Sequence, residues 1–236
     1  MPIDGKVYYS WKHVAESVSA MAQAVIFYRP DTLVAVGYPG WFIARALCSE
    51  LGRDLPILVA QLEIHDKSSN SPIRWRPSAE WNDRTCVKTN QWFDETPGTY
   101  GERIRGRRVL IVDAIDDNRA TLQAAVELIN ASHAPSTIGV FVLHDKLKPK
   151  VGSLSEEVIY IVAEETQHAW ICYPWEAAGG SGLAAHEALA RRCAGEVEAS
   201  SPPQPIGTAW PRLAAVALGS ALAGAAIMRL AGSRRV

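Results

Sequence analysis

A short acidic turn follows a buried strand near the middle of the chain, and this junction constrains the fold more than any other segment. Residues 109–112 (VLIV) form a continuous β-branched and aliphatic run, which is typical of a strand buried on both faces of a parallel sheet. The chain then passes Asp113, Asp116 and Asp117 before residues 118–121 (NRAT) open a helix. Carboxylates and exposed amides at such a strand end can hold an anion together with hydroxyls or a metal ion.

The length and charge of the chain exclude several classes of protein. Its 236 residues, 48% of them hydrophobic, can build one α/β domain with a substantial core but not two. The net charge of −1 argues against general nucleic-acid binding, because phosphate backbones are bound by basic surfaces. The four cysteines include no C-x-x-C pair, and no signal-peptide pattern is visible at the N-terminus. We therefore expect a cytoplasmic protein with reduced thiols.

Alternating strand and helix patterns predict one α/β domain over residues 1–194. Ser10 is a candidate N-cap for a helix with one apolar face, formed by Val14, Val18, Met21 and Val25. The other apolar runs predict strands at 32–37, 56–64, 87–93, 109–112, 137–143 and 158–162, and helices at 41–51, 121–132 and 183–193. This order predicts an open parallel sheet flanked by helices, and the irregular segment 168–176 predicts a small hood.

The turn Gly37-Tyr38-Pro39-Gly40 lies between a predicted strand and a predicted helix. Glycine lets the backbone approach a phosphate, and the helix N-terminus supplies N–H donors. An ordinary strand-to-helix turn needs glycine as well, so the pattern alone leaves both interpretations open.

A polar segment over residues 66–84 has no apolar periodicity. So long a segment inside a compact domain is usually a lid or disordered. Arg74 and Arg76 alternate there with Trp75 and Trp81, as in some nucleic-acid-binding patches, but the tract is short and the protein is not basic.

Four sequence blocks occur in the order of one known family: VAVGYPGWFIARAL (34–47), VKTNQWFD (87–94), RRVLIVDAIDDNRATL (107–122), and FVLHDKLKPK (141–150) with HAWICYPWE (168–176). In these blocks the chain resembles type I phosphoribosyltransferases, in particular the purine-salvage branch with the fungal hypoxanthine-guanine and xanthine enzymes. The resemblance implies transfer of ribose 5-phosphate from phosphoribosyl pyrophosphate to a 6-oxopurine (hypoxanthine, guanine or xanthine), with release of pyrophosphate and Mg²⁺ as the cofactor. It also implies a homo-oligomer and a loop near residues 66–84 that closes over the reacting centre.

The resemblance assigns the acidic turn to the phosphoribosyl group. It implies that Asp113 holds the ribose hydroxyls and that Asp117 transfers a proton at purine N7, although Asp117 also suits the N-cap of the following helix. The turn at residues 37–40 corresponds to the family's pyrophosphate loop. The residues expected to bind phosphoribosyl pyrophosphate are Gly37, Tyr38, Pro39, Gly40, Asp113, Asp116, Asn118, Arg119, Ala120 and Thr121.

The base pocket is assigned in the same way. Lys146 corresponds to the lysine that donates to purine O6. Trp170 would stack against the base, and the backbone of Ile171 would lie at its edge. Glu176 corresponds to an acidic position near the metal, so we expect it to contact Mg²⁺. The residues alone leave the alternatives open: Trp170 as core, and Lys146 and Glu176 as solvated charges. For His144 and His168, structural roles are expected.

Five positions depart from the family pattern: Tyr38 and Pro39, where related sequences have more glycine, and Ala114, Asn118 and Ala120. The second member of its acidic pair is Ala114 here, and losing a charge-assisted hydrogen bond to a hydroxyl costs about 1.5–3 kcal/mol. Asn118 and Ala120 replace the usual residues of an Asp-Thr-Gly-like phosphate loop. These departures motivate an alternative function, a catalytically weakened regulatory protein that binds phosphoribosyl pyrophosphate or a nucleotide.

The C-terminal tail has a different composition. Residues 195–212 form a Pro/Ser-rich linker, and residues 213–228 carry no charge. We expect an apolar helix over 213–236 that anchors the cytoplasmic domain to a membrane, although the uncharged run is short for a span of ~20 residues. The alternative is an Ala-rich helix that docks on the domain or is left loose.

Overall fold

A computed structural model describes residues 2–3, 5–66, 85–91, 100–167, 169–177, 182–198 and 227–230. Within these residues, seven strands form one sheet in the order β4-β3-β2-β5-β6-β7-β9. Its strands are β2 (Thr32–Val36), β3 (Ile57–Asp66), β4 (Thr85–Gln91), β5 (Arg108–Asp116), β6 (Thr137–Lys146), β7 (Ile159–Thr166) and β9 (Ile227–Leu230). The helices are α1 (Trp11–Tyr28), α2 (Gly37–Leu51), α3 (Ala120–His133) and α4 (Gly182–Glu198).

The first helix begins where the sequence predicts. The amide of His13 donates to Oγ of Ser10 at 3.0 Å, so Ser10 is the N-cap of α1. The predicted apolar face is buried, and Arg29 ends the helix in a left-handed conformation before Pro30.

The centre of the sheet is parallel. Strand β5 pairs with β2 on one side and β6 on the other, and β6 pairs with β7. Apolar side chains pack on both faces, against α1 and α2 on one and α3 on the other. Because parallel strands point the same way, the ends of β5 and β6 meet at one edge of the sheet. Asp116 and Asp145 are neighbours there in the strand register.

The sheet is not parallel throughout. The strand predicted at 87–93 is β4, which pairs antiparallel with β3 at the sheet edge. A strand pattern does not encode direction, so the expectation of an all-parallel sheet is wrong at this edge.

A small hood forms from two distant segments, as expected. Strand β1 (Lys6–Tyr8) pairs in parallel with β8 (Trp170–Cys172), and a short 3₁₀ turn, Pro174–Glu176, follows. Helix α4 is held to this unit by a hydrogen bond between Nε2 of His186 and the carbonyl of Tyr9, at 2.9 Å.

The tail differs from its prediction at two places. Helix α4 continues to Glu198, so the linker does not begin at residue 195. Residues Ile227–Leu230 form β9, antiparallel to β7, so a helix over 213–236 is wrong for these residues. Pairing with the exposed edge of β7 overrides the local helical pattern, because an open strand edge offers unpaired N–H and C=O groups.

Other predictions fall beyond the described part of the chain. The lid segment from residue 67 to residue 84 and the uncharged run from 213 to 226 lie outside it. Among the helices that the structure describes, none has the length and apolar character needed to cross a membrane.

Candidate active site

A pocket of about 410 Å³ lies at the C-terminal end of β5. This volume is in the range of small-molecule sites, about 300–1,000 Å³. The lining combines the acidic turn, the start of α3, the end of β6 and the hood. Its residues are Asp113, Ile115, Asp116, Asp117, Asn118, Arg119, Thr121, Leu122, Lys146, Trp170, Ile171, Tyr173 and Glu176. The structure therefore brings together most of the site residues predicted from the sequence.

Asp113 lies at the base of the acidic turn. Its Oδ1 accepts a hydrogen bond from the amide of Ala114 at 2.7 Å. Burial raises the pKa of this carboxyl to about 7, and the nearby charge of Asp116 contributes to the increase. A hydroxyl donor or a cation bound in the pocket would favour its ionised form.

Asp117 is held by two lysines. Its Oδ1 is 2.9 Å from Nζ of Lys146, and its Oδ2 is 2.9 Å from Nζ of Lys148. Burial alone would raise the pKa of Asp117, but hydrogen bonds and charge from the two lysines outweigh this, so its pKa is lowered. The N-cap alternative for Asp117 is wrong, because the N-cap residue of α3 is Arg119.

Helix α3 begins in the pocket without a side-chain cap. The first amides of a helix have no intrahelical partner, so those of Thr121 and Leu122 are available to an anion. The amide of Ala120 is already bound by Oδ1 of Asn118 at 3.1 Å, and Ala120 is buried outside the pocket lining. One of the amides that the sequence predicts to bind an anion is therefore already occupied by the protein.

Arg119 holds the loop in an uncommon conformation. Its φ of 69° is left-handed, which costs roughly 1–2 kcal/mol for a residue with a Cβ. Its Nε donates to Oδ2 of Asp116 at 2.7 Å, and its guanidinium lies 4.7 Å from the ring centre of Tyr160. Tyr160 also donates to Oδ2 of Asp116, at 2.7 Å. These contacts hold Arg119 in its left-handed conformation.

The buried side chain of Asp116 helps to hold the loop in place. Its side chain is 0% exposed. Lys150 reaches the same cluster, with its Nζ 2.6 Å from Oδ1 of Asp145 and 3.4 Å from Oδ1 of Asp116. Although Asp116 borders the pocket, its carboxylate is directed into this buried cluster rather than towards a ligand.

The sequence did not indicate the role of residues 150–152, which support the loop before α3. Nζ of Lys150 donates to the carbonyls of Asp116 (2.7 Å) and Asp117 (3.1 Å). The amides of Val151 and Gly152 both donate to the carbonyl of Asn118 at 3.0 Å. A Cβ at Gly152 would lie 2.6 Å from the carbonyl carbon of Arg119, so only glycine fits. Lys150 and Gly152 are evident in the sequence, but no local pattern indicates that they support the loop at residues 116–120.

The predicted base contacts form one wall of the pocket, next to Asp117. The side chain of Lys146 is 3% exposed, so it is not a solvated charge. Trp170 is partly exposed and lines the pocket, so it is not simply core, and Ile171 follows it on β8. Nζ of Lys6 lies 5.7 Å from the ring centre of Trp170.

Glu176 and Tyr173 close this wall. Oε2 of Glu176 accepts from the amide of Tyr173 at 3.3 Å, so the acid also caps the 3₁₀ turn. Burial raises the pKa of Glu176. Tyr173, which the sequence did not single out, donates its hydroxyl to the carbonyl of Ala114 at 3.0 Å.

The departure at Ala114 has a structural context. Its side chain is 2% exposed and packs in the core beneath α1 and α2. Residue 114 is absent from the pocket lining, whereas Asp113 and Ile115 are present. A carboxylate at position 114 would therefore enter an apolar core in this structure.

The predicted pyrophosphate loop forms the first turn of α2, directly after β2. Residues 37–40 are not in the pocket lining, and Tyr38 is 76% exposed. Gly40 packs against the carbonyl of Val112, and an added Cβ would clash there. Because Val112 precedes Asp113, the turn lies next to the acidic turn, at the same sheet edge.

Comparisons with known proteins identify the family of the chain. A model of the phosphoribosyl transferase domain matches residues 5–176. The chain is 30% identical over 192 residues to the hypoxanthine-guanine phosphoribosyltransferase of Schizosaccharomyces pombe, covering 73% of this chain and 89% of that protein. It is 28% identical over 194 residues to xanthine phosphoribosyltransferase 1 of Saccharomyces cerevisiae, covering 73% and 90%.

A solved structure extends the comparison. A hypothetical protein from Neisseria gonorrhoeae with bound ppGpp is 28% identical, with a TM-score of 0.64, over 79% of this chain and 96% of that one. The matched domain spans the whole pocket, and the curated relatives are covered over most of their length. The chain therefore belongs to the phosphoribosyl transferase domain family, in its purine-salvage branch.

Proposed function

We propose that this protein transfers ribose 5-phosphate from phosphoribosyl pyrophosphate to a 6-oxopurine, releasing pyrophosphate. The observation that carries the proposal is the ion pair formed by Asp117 and Lys146, which lines the same pocket as Trp170. A 6-oxopurine presents an N7–H donor next to an O6 acceptor. An acceptor carboxylate beside a donor ammonium complements that edge, whereas adenine has a donor amino group at position 6.

The purine would enter by separating this ion pair. Lys146 would donate to O6, and Asp117 would accept the N7 proton as the bond to the anomeric carbon forms. The pKa of Asp117 is lowered while both lysines contact it. When Lys146 turns to the purine, Asp117 loses a neighbouring positive charge. Its proton affinity would therefore rise at the step in which it accepts a proton.

The phosphoribosyl group would occupy the other wall. The amides of Thr121 and Leu122 and the Thr121 hydroxyl would bind the 5′-phosphate at the N-terminus of α3. Asp113 would hold the ribose hydroxyls, and the turn at residues 37–40 would contact the pyrophosphate. The transition state carries positive charge at the anomeric carbon, as in glycoside chemistry, and the carboxylate of Asp113 would stabilise it.

The donor set of the pocket fits Mg²⁺. Asp113 and Glu176 offer hard carboxylate oxygens, and burial raises the pKa of both, which a bound cation would oppose. Glu176 would contact the ion. When bound, Mg²⁺ would neutralise charge on the leaving pyrophosphate.

The experiment is an assay with phosphoribosyl pyrophosphate, Mg²⁺ and each of hypoxanthine, guanine, xanthine and adenine. We expect nucleotide formation with at least one 6-oxopurine and not with adenine. Asp117→Asn should reduce kcat by about 10²–10⁴-fold, the usual contribution of a general base. Asp54→Asn, at an exposed position outside the pocket, is the matched control. Equal rates for Asp117→Asn and the wild type would contradict the assignment.

A second candidate function is regulatory nucleotide binding. The Neisseria gonorrhoeae protein was solved with bound ppGpp, and Ala114 replaces the second member of the acidic pair in the family pattern. In this case the pocket would bind a guanosine nucleotide or phosphoribosyl pyrophosphate without turnover. Saturable binding of either ligand, with no nucleotide formed from any purine, would favour it.

We also propose that the protein is a cytoplasmic homo-oligomer. All four cysteines are free in the structure, which suits a reducing compartment. The subunit number follows from light scattering coupled to size-exclusion chromatography, and a monomer at all concentrations would contradict it.

A further inference from the structure

Behind the pocket, three metal-ligating side chains converge from three different elements. His13 lies on α1, His144 at the end of β6 and Glu164 on β7, and their ligand atoms lie within 4.8 Å of one another. Nε2 of His13 is 2.7 Å from Oε1 of Glu164, and Nε2 of His144 is 3.6 Å from Oε2. None of the three lines the pocket.

The hydrogen bonds of His144 fix which ring nitrogen carries its proton. The hydroxyl of Tyr173 has a single hydrogen, which it donates to the carbonyl of Ala114. Nδ1 of His144 lies 2.7 Å from the same hydroxyl oxygen, so Nδ1–H must be the donor. In a neutral ring, Nε2 then carries a lone pair that points towards Glu164.

This nitrogen is shielded from solvent by the described protein. His144 is 0% exposed, and its Nε2 makes no hydrogen bond to the described residues. In this tautomer the Nε2 lone pair of His144 faces Oε2 of Glu164 across 3.6 Å, an arrangement that a cation between the two atoms would stabilise.

We propose that His13, His144 and Glu164 bind a divalent transition-metal ion such as Zn²⁺ at a site separate from the pocket. Two imidazoles and one carboxylate are a known zinc-binding set, and nitrogen ligands favour Zn²⁺ over Mg²⁺. Ligand atoms about 2.0–2.2 Å from a tetrahedral ion are roughly 3.3 Å apart, so the 3.6 Å pair needs little movement and the 2.7 Å pair must open slightly.

The surroundings match those of a metal site. Tyr173 orients His144 through Nδ1, and Ser17 donates to Oε1 of Glu164 at 2.6 Å, so two of the three ligands have supporting hydrogen bonds. His13 and Glu164 are 37% and 34% exposed, so solvent can supply a fourth ligand and the ion has an entry path. The bound ion would join α1 to β6 and β7 behind the wall formed by Tyr173.

The test is a calorimetric titration of the full-length protein with Zn²⁺ after chelator treatment, in excess Mg²⁺. We expect one saturable Zn²⁺ per chain, with affinity reduced at least about tenfold in His13→Gln and in Glu164→Gln. Glu165→Gln, the next residue on β7 but outside the cluster, is the matched control and should retain wild-type affinity. Circular dichroism of each variant serves as the control for folding.

Co²⁺ provides a second measurement that does not depend on activity. The wild-type protein should show visible absorption of Co²⁺ with nitrogen ligands, and His13→Gln should lose it. Absence of a saturable site, or equal Zn²⁺ affinity in the wild type and both cluster variants, would overturn the proposal. Binding lost in Glu176→Gln but kept in His13→Gln would also overturn it, because it would place the ion in the pocket.

Discussion

The ammonium of Lys146 lies 2.9 Å from the carboxylate of Asp117 inside the pocket. This pair presents a donor and an acceptor side by side, and Lys148 binds the other oxygen of the same acid from outside the pocket lining. The two lysines therefore share a partner but differ in access to a ligand, which makes them a matched pair for mutation.

Replacing Lys146 should impair recognition of the base. In Lys146→Gln, kcat/KM for the preferred 6-oxopurine should fall about 10- to 150-fold, the equivalent of one charge-assisted hydrogen bond. KM for phosphoribosyl pyrophosphate should change much less. Lys148→Gln is the control and should keep the preference among bases. Steady-state kinetics with both substrates varied measures these effects, and similar losses in the two variants would count against the role of Lys146.

Activity should depend on the ionisation of Asp113. Its pKa is raised from 3.8 to about 7, so the free enzyme gains the carboxylate as pH rises through about 7. Because ribose hydroxyls and Mg²⁺ bind the ionised form, kcat/KM for phosphoribosyl pyrophosphate should rise with pH through this range. A pH series on the wild type and Asp113→Asn checks this, since the variant should lose the transition at pH 7.

The same carboxyl affects stability in the opposite direction. Between pH 4 and pH 7 the folded protein retains a proton on Asp113 that the unfolded chain has released. The folded state binds more protons, so this group lowers the free energy of unfolding as pH rises from about 4 to about 7. Denaturant unfolding at several pH values should show this loss in the wild type and a smaller one in Asp113→Asn.

Gly152 should be needed for the phosphate loop. In Gly152→Ala the new Cβ would meet the backbone of Arg119 and Ala120, so the loop must shift. We expect KM for phosphoribosyl pyrophosphate to rise about tenfold or more and stability to fall by about 1–3 kcal/mol. Gly195→Ala on α4 is the control, because an added Cβ there meets no atom within 4 Å. A Gly152→Ala variant with wild-type kinetics would refute the supporting role.

The buried cluster around Asp116 should be a major source of stability. Asp116→Asn leaves Asp145 to balance both Arg119 and Lys150, so one positive charge of this largely buried cluster is uncompensated, and the free energy of unfolding should fall by about 3–5 kcal/mol. Asp31→Asn removes an ion pair with Arg108 whose partners are 37% and 39% exposed, and should cost no more than about 1 kcal/mol. Urea unfolding of both variants tests this, and equal losses would contradict it.

Restoring the family's acidic pair should not restore a ligand contact. Ala114→Asp would place a carboxylate in the apolar core beneath α1 and α2. We therefore expect a lower melting temperature and no increase in kcat/KM. Ala114→Ser, a smaller polar change, is the comparison. A gain in activity for Ala114→Asp would show that residue 114 reaches the ligand.

Local patterns determined much of the fold. The apolar run 109–112 fixed β5, the Ser10 cap fixed the start of α1, and the acidic turn located the pocket edge. These features could be predicted because periodicity and capping depend on residues within a few positions of each other. The resemblance then supplied Lys146 and Trp170, which both line the pocket.

The tertiary structure decided where individual side chains point. Strand register and the left-handed Arg119 direct Asp116 into the protein, and Lys150 and Gly152 fix the loop from a later segment. Tyr173 became part of the pocket wall, and the tail residues Ile227–Leu230 became a strand because β7 had a free edge. Such contacts join residues far apart in the chain, so they depend on packing and register, which local sequence does not encode.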